Sequence, residues 1–232
     1  MGEVRKVPVA RGTWDEETIR RDLMLYAVTD RMWLGGRTLE QCVHEAIEGG
    51  ATFIQLREKT ADKRERLELA GSLLAICRGA GIPFVVDDDV ELAREAGADG
   101  VHVGQHDLSC AKARELLGEE AIIGVSAQTV EEALAAWDSG ADYLGVGAMH
   151  PTVTKPDAVD VTYDELGRIC RAVPIPVVAI GGMDAHTVHE LAGTGAAGAA
   201  VVSAIFAAGD CKAAACELCH ELVSTLEGKA AR

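Results

Sequence analysis

Phe84-Val85-Val86-Asp87-Asp88-Asp89 runs a short apolar segment straight into three consecutive carboxylates. An apolar run entered from Pro83 reads as a buried strand, so the acids sit at its C-terminal end. Three like charges there need a cation, water or a helix terminus to tolerate one another. The next apolar run leads through His102-Val103-Gly104-Gln105-His106-Asp107, and neighbouring strand ends lie roughly 5 Å apart. Two carboxylates from adjacent strands can therefore share one cation. Magnesium is commonly held by one or two carboxylates plus substrate phosphates. The competing reading is that Asp89 and Asp107 cap the helices that follow. His102 and His106 raise zinc, but the sequence offers no convincing further ligand set.

Cations and hydroxyls gather at other run ends. Gln55, Arg57 and Lys59 follow Phe53-Ile54 at alternate positions, so a period of two turns all three to one face if the strand continues that far. An inward Arg grips a phosphate through two parallel hydrogen bonds, and Lys adds a point charge. The plainer alternative is a solvated loop in which Arg57, Glu58 and Lys59 form local ion pairs. Ser126 closes another run. Gly147-Ala148-Met149-His150-Pro151-Thr152-Val153-Thr154-Lys155 then offers two hydroxyls and an ammonium, suited to a polar anion, with Pro151 stiffening the entry. Gly181-Gly182 would let a phosphate approach the backbone, and amides at a helix start near Val202-Ser203 would point donors at it. A tight turn would also explain the paired glycines.

These residues need a scaffold that collects strand ends. A weak repeat supplies one: Glu48-Gly49-Gly50-Ala51-Thr52, Ala96-Gly97-Ala98-Asp99-Gly100, Ser139-Gly140-Ala141-Asp142-Tyr143 and Gly193-Thr194-Gly195-Ala196-Ala197 each precede an apolar run. Glycine after a helical stretch can end the helix in the left-handed conformation, after which a strand starts. Counting apolar runs predicts eight strands near 23–28, 53–57, 83–86, 100–103, 121–125, 143–147, 176–180 and 198–202, separated by helical segments such as Lys63 to Arg78 and Val130 to Trp137. Eight strand–helix units favour an α/β fold, a single-domain (β/α)8 TIM barrel over residues 22–228, with a doubly wound open sheet as the alternative. In such a barrel the active site lies at the C-terminal strand ends, and loops seven and eight are the usual phosphate site. Residues 1–21 form an N-terminal extension, and Thr13-Trp14-Asp15-Glu16 offers a capping-box-like start for an extra helix.

Composition narrows the partners. A length of 232 residues suits one barrel, and 48% hydrophobic residues supply its core, largely Ala, Val, Ile and Leu because aromatics are only 4%. The formal charge of −15 repels nucleic acid and anionic membrane, so an anionic small substrate must meet locally placed cations. No apolar run reaches the roughly 18 residues that span a bilayer, and Met1 to Arg21 lacks a signal-peptide apolar region, which together predict a cytoplasmic protein. Seven cysteines, an odd number in a chain of this length, read as reduced thiols. Cys216-Glu217-Leu218-Cys219-His220 matches the pattern of covalent haem attachment but lies in an Ala-rich stretch that reads as a closing helix.

Taken together, Gln55-Leu56-Arg57-Glu58-Lys59, Asp88-Asp89, His102-Val103-Gly104-Gln105, Gly124-Val125-Ser126-Ala127, Pro151-Thr152-Val153-Thr154-Lys155, Ile180-Gly181-Gly182 and Val202-Ser203-Ala204-Ile205 closely resemble the thiamine-phosphate synthase family, over roughly Leu23 to Ala208. The resemblance implies that Gln55, Arg57 and Lys59 bind hydroxymethylpyrimidine diphosphate, that Asp88 and Asp107 hold magnesium, and that Ser126 and Lys155 contact the diphosphate substrate. It implies that Thr152, Thr154, Gly182, Val202 and Ser203 receive thiazole phosphate or carboxythiazole phosphate. Arg57, Ser126 and Lys155 would be the catalytic set, assisting departure of diphosphate before the thiazole nitrogen captures a pyrimidinylmethyl cation. The implied partners are these small molecules, with self-association left open. Two positions depart from the family pattern. Asp87 stands where many members have Asn, though it could still accept a hydrogen bond from the pyrimidine amino group, and Gln128 stands where His often follows the Ser-Ala pair. The rivals are a thiazole tautomerase of the same barrel and a non-catalytic ligand-sensing barrel.

Overall fold

A computed structural model describes residues 14–152 and 160–228. The apolar runs become eight strands: β1 (Leu25–Val28), β2 (Phe53–Leu56), β3 (Phe84–Asp87), β4 (Gly100–Val103), β5 (Ile122–Ala127), β6 (Tyr143–Val146), β7 (Val177–Ile180) and β8 (Gly198–Val201). They pair in parallel in chain order, and β8 returns to β1 through Leu25↔Ala199, Tyr26↔Ala200 and Ala27↔Val201. The sheet is therefore a closed barrel, not the open doubly wound alternative. The expected limits hold to within two residues, and Ser126 lies inside β5.

Helices α1 (Glu16–Asp22), α2 (Leu39–Glu48), α3 (Lys63–Ala80), α4 (Val90–Ala96), α5 (Cys110–Leu117), α6 (Val130–Asp138), α7 (Tyr163–Ala172), α8 (Ser203–Phe206) and α9 (Cys211–Glu227) accompany the strands. All but α8 start on an Asp, Ser or Thr whose side chain accepts from a backbone N–H three residues on. Such a cap typically contributes about 1 kcal/mol. One crossover differs from the expected helix: between β7 and β8 runs only a 3-10 turn, Val188–Leu191. There Asp184 Oδ1 accepts from the amides of His186 and Thr187, both at 2.9 Å, holding the chain in a side-chain-stabilised turn. All seven cysteines are free thiols, and the Cys216 to His220 motif lies within α9, with Leu218 buried. Among the described residues no helix is long and apolar enough to cross a membrane.

Strand alternation divides the core in two. Outward residues such as Leu25, Ile54, Val86 and Leu144 pack under the helices, while Tyr26, Phe53, Val85, Ile122, Tyr143 and Val178 fill the barrel interior. Helix α1 belongs to the second group. Its cap is Asp15, with Thr13 outside the described residues, and it delivers Ile19 and Leu23, 2% and 0% exposed, into the interior cluster below β1. Helix α1 therefore closes the N-terminal end of the barrel, opposite the polar strand ends. Trp14 hydrogen-bonds Asp99, whose carboxylate also accepts from the Phe84 amide at 2.9 Å. Ile19→Ala should cost about 2–5 kcal/mol in urea unfolding. A loss under about 0.5 kcal/mol, the range of ordinary surface substitutions, would show that α1 is not part of the core.

Candidate active site

At the C-terminal strand ends the barrel opens into a cavity of about 850 Å³. The alternation read from β2 survives past the end of that strand. Gln55, Arg57 and Lys59 all line the cavity, whereas Glu58 turns away and accepts from the amides of Thr60 and Ala61 at 2.7 and 2.9 Å. Arg57 is held in place twice: its amide donates to Thr29 Oγ1 at 2.9 Å, and its guanidinium donates to Asp30 Oδ2 at 3.2 Å. Lys59 Nζ lies 2.8 Å from Asp87 Oδ2 and also donates to Asp88. Burial works against the Lys59 charge, but the two carboxylates outweigh it and raise its pKa.

The three acids are separated by a turn of the backbone. Asp88 has φ of 61°, a left-handed conformation that Asp tolerates better than most residues. Its amide donates to His102 O at 2.8 Å, and the Asp89 amide to Asp87 O at 2.7 Å. Asp87 consequently points into the barrel. Asp89 points away, caps α4 through the Leu92 amide at 2.9 Å and binds Arg66 at 2.7 Å. Asp88 faces Asp107 at the rim. Asp107 does not cap the next helix, since Ser109 caps α5; its carboxylate instead accepts from the Gly104 amide at 2.8 Å.

Asp88 and Asp107 lie close enough to influence each other, and their pKa values shift in opposite senses. Burial and then the Asp88 contact raise the Asp107 pKa. Burial also pushes Asp88 up, but Lys59 and Asp107 outweigh it and hold Asp88 below its usual value. Two hard oxygen donors on adjacent strand ends fit magnesium, which takes its remaining positions from water and phosphate. No group of three or more His, Cys, Asp or Glu converges as a metal site among the described residues. The His102 ring is committed elsewhere, with Nδ1 lying 3.0 Å from the Tyr143 hydroxyl and Nε2 3.0 Å from Ser126 Oγ.

Beneath the mouth the polar contacts continue. Gln55 donates to Asp87 Oδ1 at 2.5 Å and accepts from the Tyr26 hydroxyl at 2.6 Å, and that hydroxyl lies 2.8 Å from Tyr143 Oη. Burial pushes both phenols well above their usual pKa. Gly124 makes this possible. It pairs with His102 and Tyr143 across β4, β5 and β6, and a Cβ there would lie 2.1 Å from Tyr143 Cζ and 2.5 Å from His102 Nδ1. Tyr26, Tyr143 and Asp30 were not singled out from sequence. The available signal was a buried phenol in an otherwise apolar strand, which needs a hydrogen-bond partner.

Across the cavity stand Thr152, Gly182, Val202 and Ser203. Gly182 has φ of 66°, and a Cβ there would lie 2.5 Å from His150 Cβ. Helix α8 begins here, and no side chain caps its Val202 start. Gln128, the other departure from the family pattern, also lines the cavity; its backbone N–H donates to Glu132 at 2.7 Å and its side-chain Nε2 to Gly147 O at 3.4 Å. Thr154 and Lys155 lie outside the described residues.

A family model described as thiamine monophosphate synthase matches residues 25–205. The chain belongs to that family. It is 45% identical over 203 residues to the thiamine-phosphate synthase of Ruminiclostridium cellulolyticum, covering 88% of this chain and 97% of that one. It is 47% identical over 210 residues to that of Chloroflexus aurantiacus, covering 90% and 96%. The solved thiamine phosphate pyrophosphorylase from Pyrococcus furiosus superposes with a TM-score of 0.83 at 40% identity, covering 90% of this chain and 99% of that one. As a member of the thiamine-phosphate synthase family, the chain is a transferase of thiamine biosynthesis.

Gly124→Ala tests the packing on which this site rests. Forcing Tyr143 and His102 aside should cost about 1–3 kcal/mol of stability, read by chemical unfolding, and should depress turnover of the protein that remains folded. Wild-type stability and turnover together would show that the close approach is not needed.

Proposed function

We propose that the cavity joins hydroxymethylpyrimidine diphosphate to thiazole phosphate or its carboxylated form, giving thiamine phosphate and free diphosphate. The observation that carries this reading is the polarity of the mouth. One side holds Arg57 and Lys59 beside the Asp88–Asp107 pair, while the other holds the Gly181–Gly182 backbone and the uncapped start of α8. That arrangement offers two separate places for phosphate groups, with apolar and aromatic surface between them. A tautomerase acting on thiazole phosphate alone would have no use for the first of the two.

Charge supports a metal on the diphosphate side. The described acids lining the cavity are Asp87, Asp88, Asp107 and Asp184, against the cations Arg57 and Lys59. A diphosphate approaching that excess of carboxylate is repelled unless further positive charge is supplied. Asp88 and Asp107 would hold magnesium, which when bound neutralises charge on the departing diphosphate. Arg57 and Lys155 would add fixed positive charge at the leaving oxygen. Gln55 and Ser126 would orient the pyrimidine beside them. The carbon–oxygen bond breaks with its electron pair leaving on diphosphate, and the thiazole nitrogen lone pair forms the new carbon–nitrogen bond. No protein nucleophile is required. The acidic chain, with its charge of −15, fits a cytoplasmic enzyme that binds neither nucleic acid nor membrane.

The purified protein should release diphosphate only when both substrates and magnesium are present, and chelation should stop it. Release from the pyrimidine diphosphate alone would mean hydrolysis and overturn the assignment. Asp88→Asn, which retains a residue tolerant of the left-handed backbone, and Lys155→Ala should each lower kcat about a hundredfold or more with unchanged circular dichroism. Near-normal rates in both would remove the roles given to them.

A further inference from the structure

Six side chains from six strands form one hydrogen-bonded file across the barrel: Asp87, Gln55, Tyr26, Tyr143, His102 and Ser126. Each hydroxyl has one hydrogen to give, so fixing the first donor fixes all the others. Both oxygens of Asp87 face donors, Oδ2 facing Lys59 Nζ at 2.8 Å and Oδ1 facing Gln55 Nε2 at 2.5 Å. Reversing the Gln55 amide would set its oxygen against a carboxylate oxygen. With Nε2 committed to Asp87, Gln55 Oε1 takes the Tyr26 hydrogen, Tyr26 Oη accepts from Tyr143, and Tyr143 Oη accepts from His102 Nδ1. A neutral imidazole with its hydrogen on Nδ1 is an acceptor at Nε2. The hydrogen that reaches Nε2 is that of Ser126 Oγ, 3.0 Å away.

We infer that Asp87 sets the polarity of this file, so that Ser126 presents lone pairs to the cavity instead of its hydrogen, with Gln55, Tyr26, Tyr143 and His102 as the positioning residues that carry the effect. A hydroxyl turned this way repels a phosphate oxygen and accepts from an N–H. Resting on the function proposed above, its fitting partner is an exocyclic amino group on an aromatic heterocycle, which places the contact expected between Ser126 and the diphosphate substrate on its pyrimidine ring and not on its phosphates. The same geometry says what an amide at position 87 would do. Asn would turn its oxygen to Lys59 and its NH2 to Gln55 Oε1. Gln55 would then donate to Tyr26, Tyr26 to Tyr143, and Tyr143 to His102 Nδ1. His102 would carry its hydrogen on Nε2 and donate to Ser126, freeing the serine hydrogen for an anion. A single substitution therefore reverses every bond of the file.

The tautomer of His102 reports this directly, without substrate or turnover. Long-range ¹H–¹⁵N spectra of histidine-labelled full-length protein are recorded near pH 8.5, about two units above the ordinary imidazole pKa, with His102 assigned by the loss of its signals in His102→Gln. The wild type should show the hydrogen on Nδ1, and Asp87→Asn should move it to Nε2. Tyr143→Phe, which removes the oxygen accepting from Nδ1 and keeps the ring, should also move it to Nε2, and it decides the matter if Asp87→Asn does not fold. An Nε2–H or doubly protonated ring in the wild type overturns the inference, as does an unchanged Nδ1–H ring in a folded Asp87→Asn protein. Because no substrate is involved, these outcomes are independent of whether the protein makes thiamine phosphate.

Discussion

Closing eight parallel strands on themselves forces alternate residues of every strand onto one axis, where side chains must be satisfied by each other because little water reaches them. In this barrel the axis is apolar toward α1 and polar toward the mouth. The change occurs at an aromatic layer, in which the Phe53 ring packs at a tilt 4.5 Å from Tyr26 and edge-on 5.6 Å from Tyr143, measured between ring centroids. Each phenol buries a ring below and offers a hydroxyl above. The layer is therefore both the top of the core and the floor of the cavity. A chain with 4% aromatics places three of them here. Gly124 is what that choice requires on β5, since any side chain there would occupy the space of Tyr143 and His102.

The acids at the end of β3 show the same constraint acting on charge. Three adjacent carboxylates sharing one face would repel strongly, and the left-handed turn at Asp88 sends them to three environments. That conformation costs roughly 1–2 kcal/mol, offset by the hydrogen bonds of the Asp88 and Asp89 amides and by relief of the repulsion. After the turn, Asp87 meets Lys59 and Gln55, Asp88 meets Lys59 and Asp107, and Asp89 meets Arg66 and the α4 amides. Each has become part of a different structure.

The strands were legible because their signal is local. An apolar run bounded by glycine or proline needs no knowledge of its partner, and strand number with spacing then restricts the topology to very few choices. Gln55, Arg57 and Lys59 were legible for the same reason, as the period of two carries their direction. What escaped was relational. Asp30 matters because Arg57 reaches it from the neighbouring strand, and Tyr26 and Tyr143 matter because β1 and β6 face each other across the axis. Neither relation leaves a mark on spacing along the chain. The 3-10 turn at Val188–Leu191 escaped for a local reason: Asp184 captures two amides at the start of the segment and diverts the backbone from a longer helix.

Charge links the site to the whole chain. With a formal charge of −15 the protein as a whole repels anions, and the described cations of the mouth are already engaged, Arg57 by Asp30 and Lys59 by Asp87 and Asp88. Binding a phosphate here exchanges one ion pair for another and adds no new one, so the net gain in affinity is small and the gain in position is large. The carboxylates hold the guanidinium and ammonium in place before the ligand arrives, which lowers the entropy lost when it does. In that setting an acid at position 87 has two effects that a neutral amide lacks: it weakens the field of Lys59 toward an anion, and it dictates the direction of the file that ends at Ser126. The first lowers the pull of this part of the mouth on any anion, and the second, on the inference drawn above, decides whether Ser126 offers lone pairs or a hydrogen.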